Sequence, residues 1–259
     1  MSEDRPFPLH AGIATVAALA DESESMRRFT LEAPEFRDPG VEQPGEIITL
    51  GWPGEDGELV MPLPRWRFPP GTPDGHHWRN FSVRRFDPAA GTLDVEFFLH
   101  GTTGRAAAWG IGAKTGDTIG FGGPRTHWLP AAGAEWHLLL ADETGLPALL
   151  AIAENLPAGQ RAVALIEVAD ERDRREAESA AAVEWHWVFR GERAAGTTNL
   201  MLELLKTIEL PAGPGQVWGG GESLVMRDLR RHAAAEIPSL VSSQILGYWR
   251  HDSTPEDVD

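Results

Sequence analysis

The chain has 259 residues, 42% of them hydrophobic and 24% charged, with a formal net charge of −16 and no cysteine. This is ordinary globular composition, which sets disordered and fibrous classes aside. The missing thiols exclude disulfides, Cys-ligated zinc, a thiol nucleophile and any iron–sulfur cluster held by this chain, and the acidity, with no basic cluster to offset it, opposes binding to nucleic acid.

On a prior of about 150 residues per domain, two domains suit the length better than one. The longest apolar runs, WHLLLAD and LPALLAIA, fall far short of the roughly 20 residues that span a bilayer, and no charged start followed by an apolar stretch marks a signal peptide. A soluble, cytoplasmic monomer that does not engage a membrane is expected.

The first half reads as strands. GIATVAALA, MRRFTLEA, EIITLGW, ELVMPLP, RNFSVRRF and TLDVEFFLH are short, partly alternating and punctuated by Gly, Pro and Asp. Six strands at this spacing predict a small antiparallel barrel. Between the fourth and fifth, PLPRWRFPPGTPDGHH is rich in Pro and Gly and has no period, so it reads as a loop reaching over something. A short helix near Thr103 and the strand DTIGFGG follow.

From Glu135 the pattern becomes strand, helix, strand, the mark of a parallel sheet with crossover helices. WHLLLAD is a buried strand, and TGLPALLAIAENL a helix with Pro147 in its first turn. RAVALIEVAD and VEWHWVF are further strands, and TTNLMLELLKTIEL places Leu200, Leu204, Leu205 and Ile208 on one helical face. GQVWGG is a strand, ESLVMRDLRRHAAAE a helix, and LVSSQILGYW closes the sheet. The predicted fold is therefore α/β in two domains: a six-stranded antiparallel β-barrel over 1–133, then a parallel α/β domain over 134–259 ending in a short acidic tail that is expected to be disordered. Ligands of open α/β sheets lie at the carboxyl ends of the strands, which makes the cleft between the domains the expected site.

Certain motifs carry chemistry. In RNFS, Arg79 and Phe81 point to one face of a strand and Ser82 to the other, unless the strand twists or ends there. A cation, a flat ring and a hydroxyl suit a flavin, although a half-buried strand with solvated arginines is the plainer reading. HGTTGRAAAWG opens a short helix whose free N–H groups would suit a phosphate, or is simply a strand-to-helix turn. GIGAKTG is not a nucleotide-triphosphate loop, because Ala113 stands where a glycine is required.

Taken in order from about Ile13 to Arg250, the Arg-x-aromatic-Ser motif, HGTTGRAAAWG, GDTIGFGGPR, LLLADETGLPAL, VWGGGES and GYWR resemble the siderophore-interacting proteins. These are flavin-dependent ferric-siderophore reductases of the ferredoxin-reductase-like superfamily. The resemblance implies that Arg79, Phe81, Ser82 and Val83 hold FAD, with the aromatic against the isoalloxazine and the serine near its redox edge. It implies that His100, Gly101, Thr102, Thr103, Gly104, Arg105, Ala106, Ala107 and the turn up to Trp109 receive the pyrophosphate and adenosine. Asp142, Glu143 and Thr144 would begin the nicotinamide side, with Gly220, Gly221 and Glu222 facing the ring at a strand end and Tyr248 and Trp249 closing the site.

Three departures stand out: Phe81 replaces the usual tyrosine, Arg105-Ala106-Ala107 replaces Pro-Ala-Ser, and Asp252 replaces a glycine. They predict weaker FAD binding than in typical relatives. A ferric siderophore of the catecholate or citrate type is anionic and needs a local basic patch. Arg125, Arg250 and Arg65 or Arg67 are the candidates, each with a solvated surface arginine as the alternative. The implied reaction is hydride uptake from NAD(P)H followed by single-electron delivery to Fe(III); iron then leaves because hard oxygen donors hold Fe(II) far less tightly. No catalytic acid or base is required.

The donor is open between NADPH, NADH and a reduced ferredoxin. Arg172, Arg174 and Arg175 would meet a 2′-phosphate, or form an exposed charged turn. His76, His77 and His186 lack the spacing of a metal site, so no structural metal is expected. The alternatives are a siderophore-binding protein with weak or lost flavin, and a flavin reductase serving another acceptor.

Overall fold

The computed structural model describes residues 10–37, 44–54, 57–60, 71–72, 77–99 and 105–251. They divide into two compact units between His127 and Trp128.

In the first unit, β1 (Ala11–Asp21), β2 (Met26–Glu32), β3 (Ile47–Trp52), β4 (His77–Asp87), β5 (Thr92–Phe98) and β6 (Thr118–Arg125) close a barrel in the order β1-β2-β5-β4-β3-β6. Every pairing is antiparallel. Alternation decides which side chains fill it: Phe29 and Leu31 of β2, Ile48 and Leu50 of β3, Leu93 and Val95 of β5, and Ile119 and Phe121 of β6 make the core. The predicted barrel is thus present, with one stave exchanged. Glu58–Val60 forms no strand, and the rest of ELVMPLP lies outside the described residues; β6, from DTIGFGG, is the sixth strand. Two prolines in ELVMPLP remove the ladder donors that an interior stave needs. Helix α1 (Arg105–Gly112) follows β5 and lies hard against it. A methyl group at Gly110 would sit 2.9 Å from the Phe97 ring.

The second unit holds β7 (Trp136–Ala141), α2 (Leu146–Glu154), β8 (Arg161–Val168), β9 (Ala182–Phe189), α3 (Leu200–Leu205), β10 (Gly215–Glu222), α4 (Ser223–Glu236) and β11 (Leu240–Trp249). The sheet is wholly parallel, in the order β11-β10-β7-β8-β9. Parallel strands are covered on both faces and read as continuous apolar runs, and every residue of β7 is buried. Leu139 and Ala141 pack with α2 on one face, while Leu138 and Leu140 pack with Met201, Met226 and Leu229 on the other. Helix α3 is shorter than the predicted stripe: it buries Met201 and Leu205, one i, i+4 step, and the chain turns away ahead of Pro211.

The chain leaves β7 for β8 and β9 on one side and returns to β10 and β11 on the other. The strand order therefore reverses between β7 and β10, where α/β sheets bind ligands outside the carboxyl ends.

Candidate functional site

In the barrel, β4 carries the Arg79-to-Ser82 motif, with Arg79 opposite Leu50, Phe81 opposite Ile48 and Ser82 opposite Ile47. Strict alternation fails just beyond. Ser82 and Val83 are both buried, because the pairing with β5 slips by a residue between Val83 and Arg85. The Phe81 ring lies face to face with Phe97, centroids 4.2 Å apart at 28°. One ring face is thus taken, and an incoming ring has only the other. Trp109 stacks on Phe29 at 5.0 Å. Trp52, at the end of β3, stands 6.3 Å from Phe81 and edge-on to Trp109 at 6.2 Å.

Two buried polar atoms in this region have no hydrogen-bond partner among the described residues. They are the Ser82 hydroxyl, on a residue 6% exposed, and the Trp52 indole N–H, on a residue 5% exposed. Leaving such a group unsatisfied costs about 1–3 kcal/mol. Around them sit guanidinium groups. Arg79 is half-buried and donates to the Trp78 carbonyl at 2.8 Å, and burial lowers its pKa. Arg125, expected on a substrate patch, reaches back into the strands: it donates to the Thr49 hydroxyl at 2.9 Å and to Asn80 Oδ1 at 2.8 Å. Burial pushes its pKa down to about 10, and burial together with this cation lowers that of His127.

Arg105 donates to the Pro53 carbonyl at 3.1 Å, tying the start of α1 to the chain just after β3. Ala106 and Trp109 pack on the barrel core, and Ala107 is buried. His100, Gly101, Thr102, Thr103 and Gly104, and likewise Arg65 and Arg67, lie outside the described residues.

In the second unit, the predicted nicotinamide-side residues come together at the carboxyl edge of the sheet, but their side chains turn inward. Asp142 Oδ1 accepts from the Thr144 N–H and hydroxyl at 2.8 and 2.6 Å and from the Gly145 N–H at 3.3 Å. Its Oδ2 accepts from the Glu222 N–H at 2.9 Å and from the Trp249 indole at 2.8 Å. One carboxylate thereby joins the ends of β7, β10 and β11 and occupies the first N–H groups of the turn into α2. Glu222 caps α4, accepting from the Leu224 and Val225 N–H groups at 2.7 and 2.9 Å, while its other oxygen accepts from the His251 N–H.

Glu143, 1% exposed, binds Arg190 and accepts from the Ala169 N–H at 3.0 Å. Burial pushes its pKa up to about 7 against the pull of Arg190. Burial also raises the pKa of Glu167, which accepts from the Thr198 hydroxyl.

Sequence reasoning missed Trp52, Glu167, Arg190 and Gly145. Only Gly145 left a local signal, a glycine ahead of the proline that starts a helix. A methyl group there would lie 2.0 Å from the Gly220 carbonyl oxygen, so only glycine permits that approach. Gly221 is hemmed in by Met226 and Asp142, and the Tyr248 ring lies against Gly220. Arg250 is exposed. Arg172 and Arg174 form exposed pairs with Asp170 and Glu176. His186 pairs with Glu184 at 2.8 Å, and no group of three side chains placed to hold a metal occurs among the described residues. No helix among them is long and apolar enough to cross a membrane.

A model described as the siderophore-interacting FAD-binding domain matches residues 15–128, and one described as siderophore-interacting protein matches 134–252. The crystal structure of a siderophore utilization protein from T. fusca superposes with a TM-score of 0.84 at 32% identity, covering 98% of this chain and 97% of that one. The chain belongs to the siderophore-interacting protein family. Among proteins of similar sequence, an uncharacterized Mycobacterium tuberculosis protein is 37% identical over 69% of this chain, and the match spans 66% of that relative, just under two thirds. The ferric vibriobactin reductase of Vibrio cholerae is 25% identical, over 74% of this chain and 70% of its own.

The barrel is thus the FAD-binding domain of a siderophore-interacting protein, and its residues fit the cofactor. The unpartnered Ser82 hydroxyl, the unpartnered Trp52 indole, the Phe81 ring and the desolvated Arg79 are groups of the kind that the polar atoms, ring and diphosphate of FAD would require.

Proposed function

We propose that the protein is a cytoplasmic, monomeric ferric-siderophore reductase that holds FAD in its barrel, draws electrons from NAD(P)H and releases iron from the siderophore as Fe(II). The observation that carries this reading is the match of both units to siderophore-interacting models, the barrel to the FAD-binding one. The relation to a reductase of a ferric siderophore supports the substrate class.

Ser82, Phe81, Val83 and Arg79 would hold the cofactor from the barrel, with Arg105, Ala106, Ala107 and Trp109 on its far half, joined by His100 to Gly104. When bound, FAD supplies the ability to accept a hydride and to deliver its electrons singly. The chain itself contributes binding and electrostatics. The Ser82 hydroxyl is free to donate, and Arg79 brings positive charge into a region of low dielectric, where it counts for more. Arg250, exposed beyond β11, and Arg65 would receive an anionic ferric siderophore, whereas Arg125 braces β3 and β4 and lends its charge from behind them. Fe(III) is the substrate ion, and its reduction loosens the grip of hard oxygen donors.

A second donor, a reduced ferredoxin, is favoured by one observation. Asp142 occupies the first N–H groups of the α2 turn, where a dinucleotide phosphate is usually received. The deciding experiment is anaerobic: FAD-loaded protein is given NADPH or NADH, then a ferric catecholate together with a ferrous-iron trap. The expected result is loss of visible flavin absorbance on adding the nicotinamide, and its return as Fe(II) enters the trap. Flavin that stays oxidised with both nicotinamides but responds to reduced ferredoxin moves the donor to the second reading. Protein that takes up no flavin overturns the reductase.

A further inference from the structure

We propose that Trp52 is a polar contact of the bound FAD, its indole N–H donating to an acceptor atom of the cofactor; this rests on the FAD reading above. Trp52 ends β3 in the pair Gly51-Trp52, opposite His77 at the start of β4. Its ring is 5% exposed and its Nε1 has no partner among the described residues.

An indole N–H can only donate, and a protein seldom buries one without supplying an acceptor. Trp136 and Trp249 follow that rule, donating to the Gly213 carbonyl at 2.9 Å and to Asp142 at 2.8 Å. Trp128 and Trp187 share the open valence of Trp52, but both pack in the second unit's core cluster, away from the barrel residues assigned to FAD. Trp52 does. It stands 6.3 Å from Phe81 and 6.2 Å from Trp109, and β3 runs beside the strand that carries Arg79 and the unpartnered Ser82 hydroxyl.

The register sets Ser82 opposite Ile47 and Trp52 opposite His77, at the two ends of β3, so one ligand reaching both open atoms must be extended. It must bring at least one acceptor to a donor-only indole beside aromatic walls, and elsewhere along its length meet a hydroxyl that gives or takes. FAD carries carbonyl oxygens, ring nitrogens, ribityl hydroxyls and phosphate oxygens, so acceptors are plentiful. In the apoprotein, by contrast, the buried N–H is a liability. Removing it while keeping an aromatic ring has opposite effects on the two states.

The test is Trp52→Phe in the full-length apoprotein. Its thermal midpoint is expected to equal or exceed that of the wild type, while the Kd for FAD, measured by titration, rises about three- to tenfold, or roughly 0.7 to 1.4 kcal/mol. A second readout is the 15N-indole NMR spectrum, in which ten tryptophans give distinguishable N–H signals. The one absent from Trp52→Phe should shift when FAD is added to the wild type. An unchanged Kd overturns the proposal, and so does a higher Kd with a Trp52 signal that stays in place. Wild-type apoprotein that binds no FAD instead overturns the cofactor reading itself, so the two failures are told apart.

Discussion

The barrel and the carboxyl edge of the sheet handle buried polar atoms in opposite ways. Ser82 and Trp52 keep donors without partners, whereas Asp142 and Glu222 engage both oxygens of their carboxylates with neighbouring N–H and O–H groups. A buried donor left open costs stability and is tolerated where a ligand repays it, while a filled acceptor stabilises the fold and has nothing left to offer. On the reading proposed above, the barrel is the receptor. The acids at the sheet edge are braces.

The largest effect should come from attacking a brace. Asp142→Ala removes the carboxylate acceptor of the Thr144, Glu222 and Trp249 N–H groups and of the Thr144 hydroxyl, and is expected to lower the unfolding free energy of the second unit by about 3 kcal/mol or more. A urea titration reading that unit checks it, and a loss below about 1 kcal/mol would mean the brace is dispensable.

Next comes Glu143. Its folded pKa, about 7, lies above the ordinary carboxylate value, so the folded unit holds a proton that the unfolded chain releases. Stability is full below the ordinary value and declines as pH rises toward about 7, by at most about 1.4 kcal/mol per pH unit for one group. Glu167, raised by the same cause, acts in the same direction. Glu143→Gln should flatten much of that slope in unfolding curves taken between pH 5 and 8, and an unchanged slope would place the proton elsewhere.

On the receptor side the sign reverses. Ser82→Ala is expected to leave the apoprotein as stable as before and to weaken FAD about fivefold, close to 1 kcal/mol, by flavin titration. A destabilised apoprotein with unaltered FAD affinity would make Ser82 a brace as well. The smallest effect belongs to Arg172→Ala. The pair with Asp170 is exposed and screened, so the urea midpoint should not move, and a clear loss of NADPH over NADH preference would return this turn to the nucleotide site.

Local sequence carried most of the architecture. Alternation in MRRFTLEA and the largely apolar run WHLLLA already distinguish a half-buried barrel stave from a fully covered parallel strand, whereas TLDVEFF alternates in sequence yet is buried throughout its middle. ELVMPLP misled because its apolar content suits a strand while its prolines do not. The slip between Val83 and Arg85, which buries Ser82 and Val83 together, depends on the partner strand and leaves no trace in a period-two pattern. The site was legible as a set of residues but not as a set of roles. Asp142 and Glu222 look like ligands in a motif, and what engages Asp142, besides the adjacent Thr144 and Gly145, are donors 80 and 107 residues along the chain. Trp52 showed nothing in sequence, since an unpaired N–H is a property of its surroundings.

The strand order has a consequence for synthesis. β7 is made first in its unit yet ends in the middle of the sheet, and Asp142 waits for an amide 80 residues downstream and an indole 107 residues downstream. At about 5 to 20 residues per second, the ribosome needs roughly 5 to 20 seconds to deliver that indole. Meanwhile one edge of a strand that the finished fold buries throughout stands open to any neighbouring nascent chain. The yield of the protein in cells should accordingly depend on translation speed and holdase chaperones over that interval more than on the stability of the finished fold.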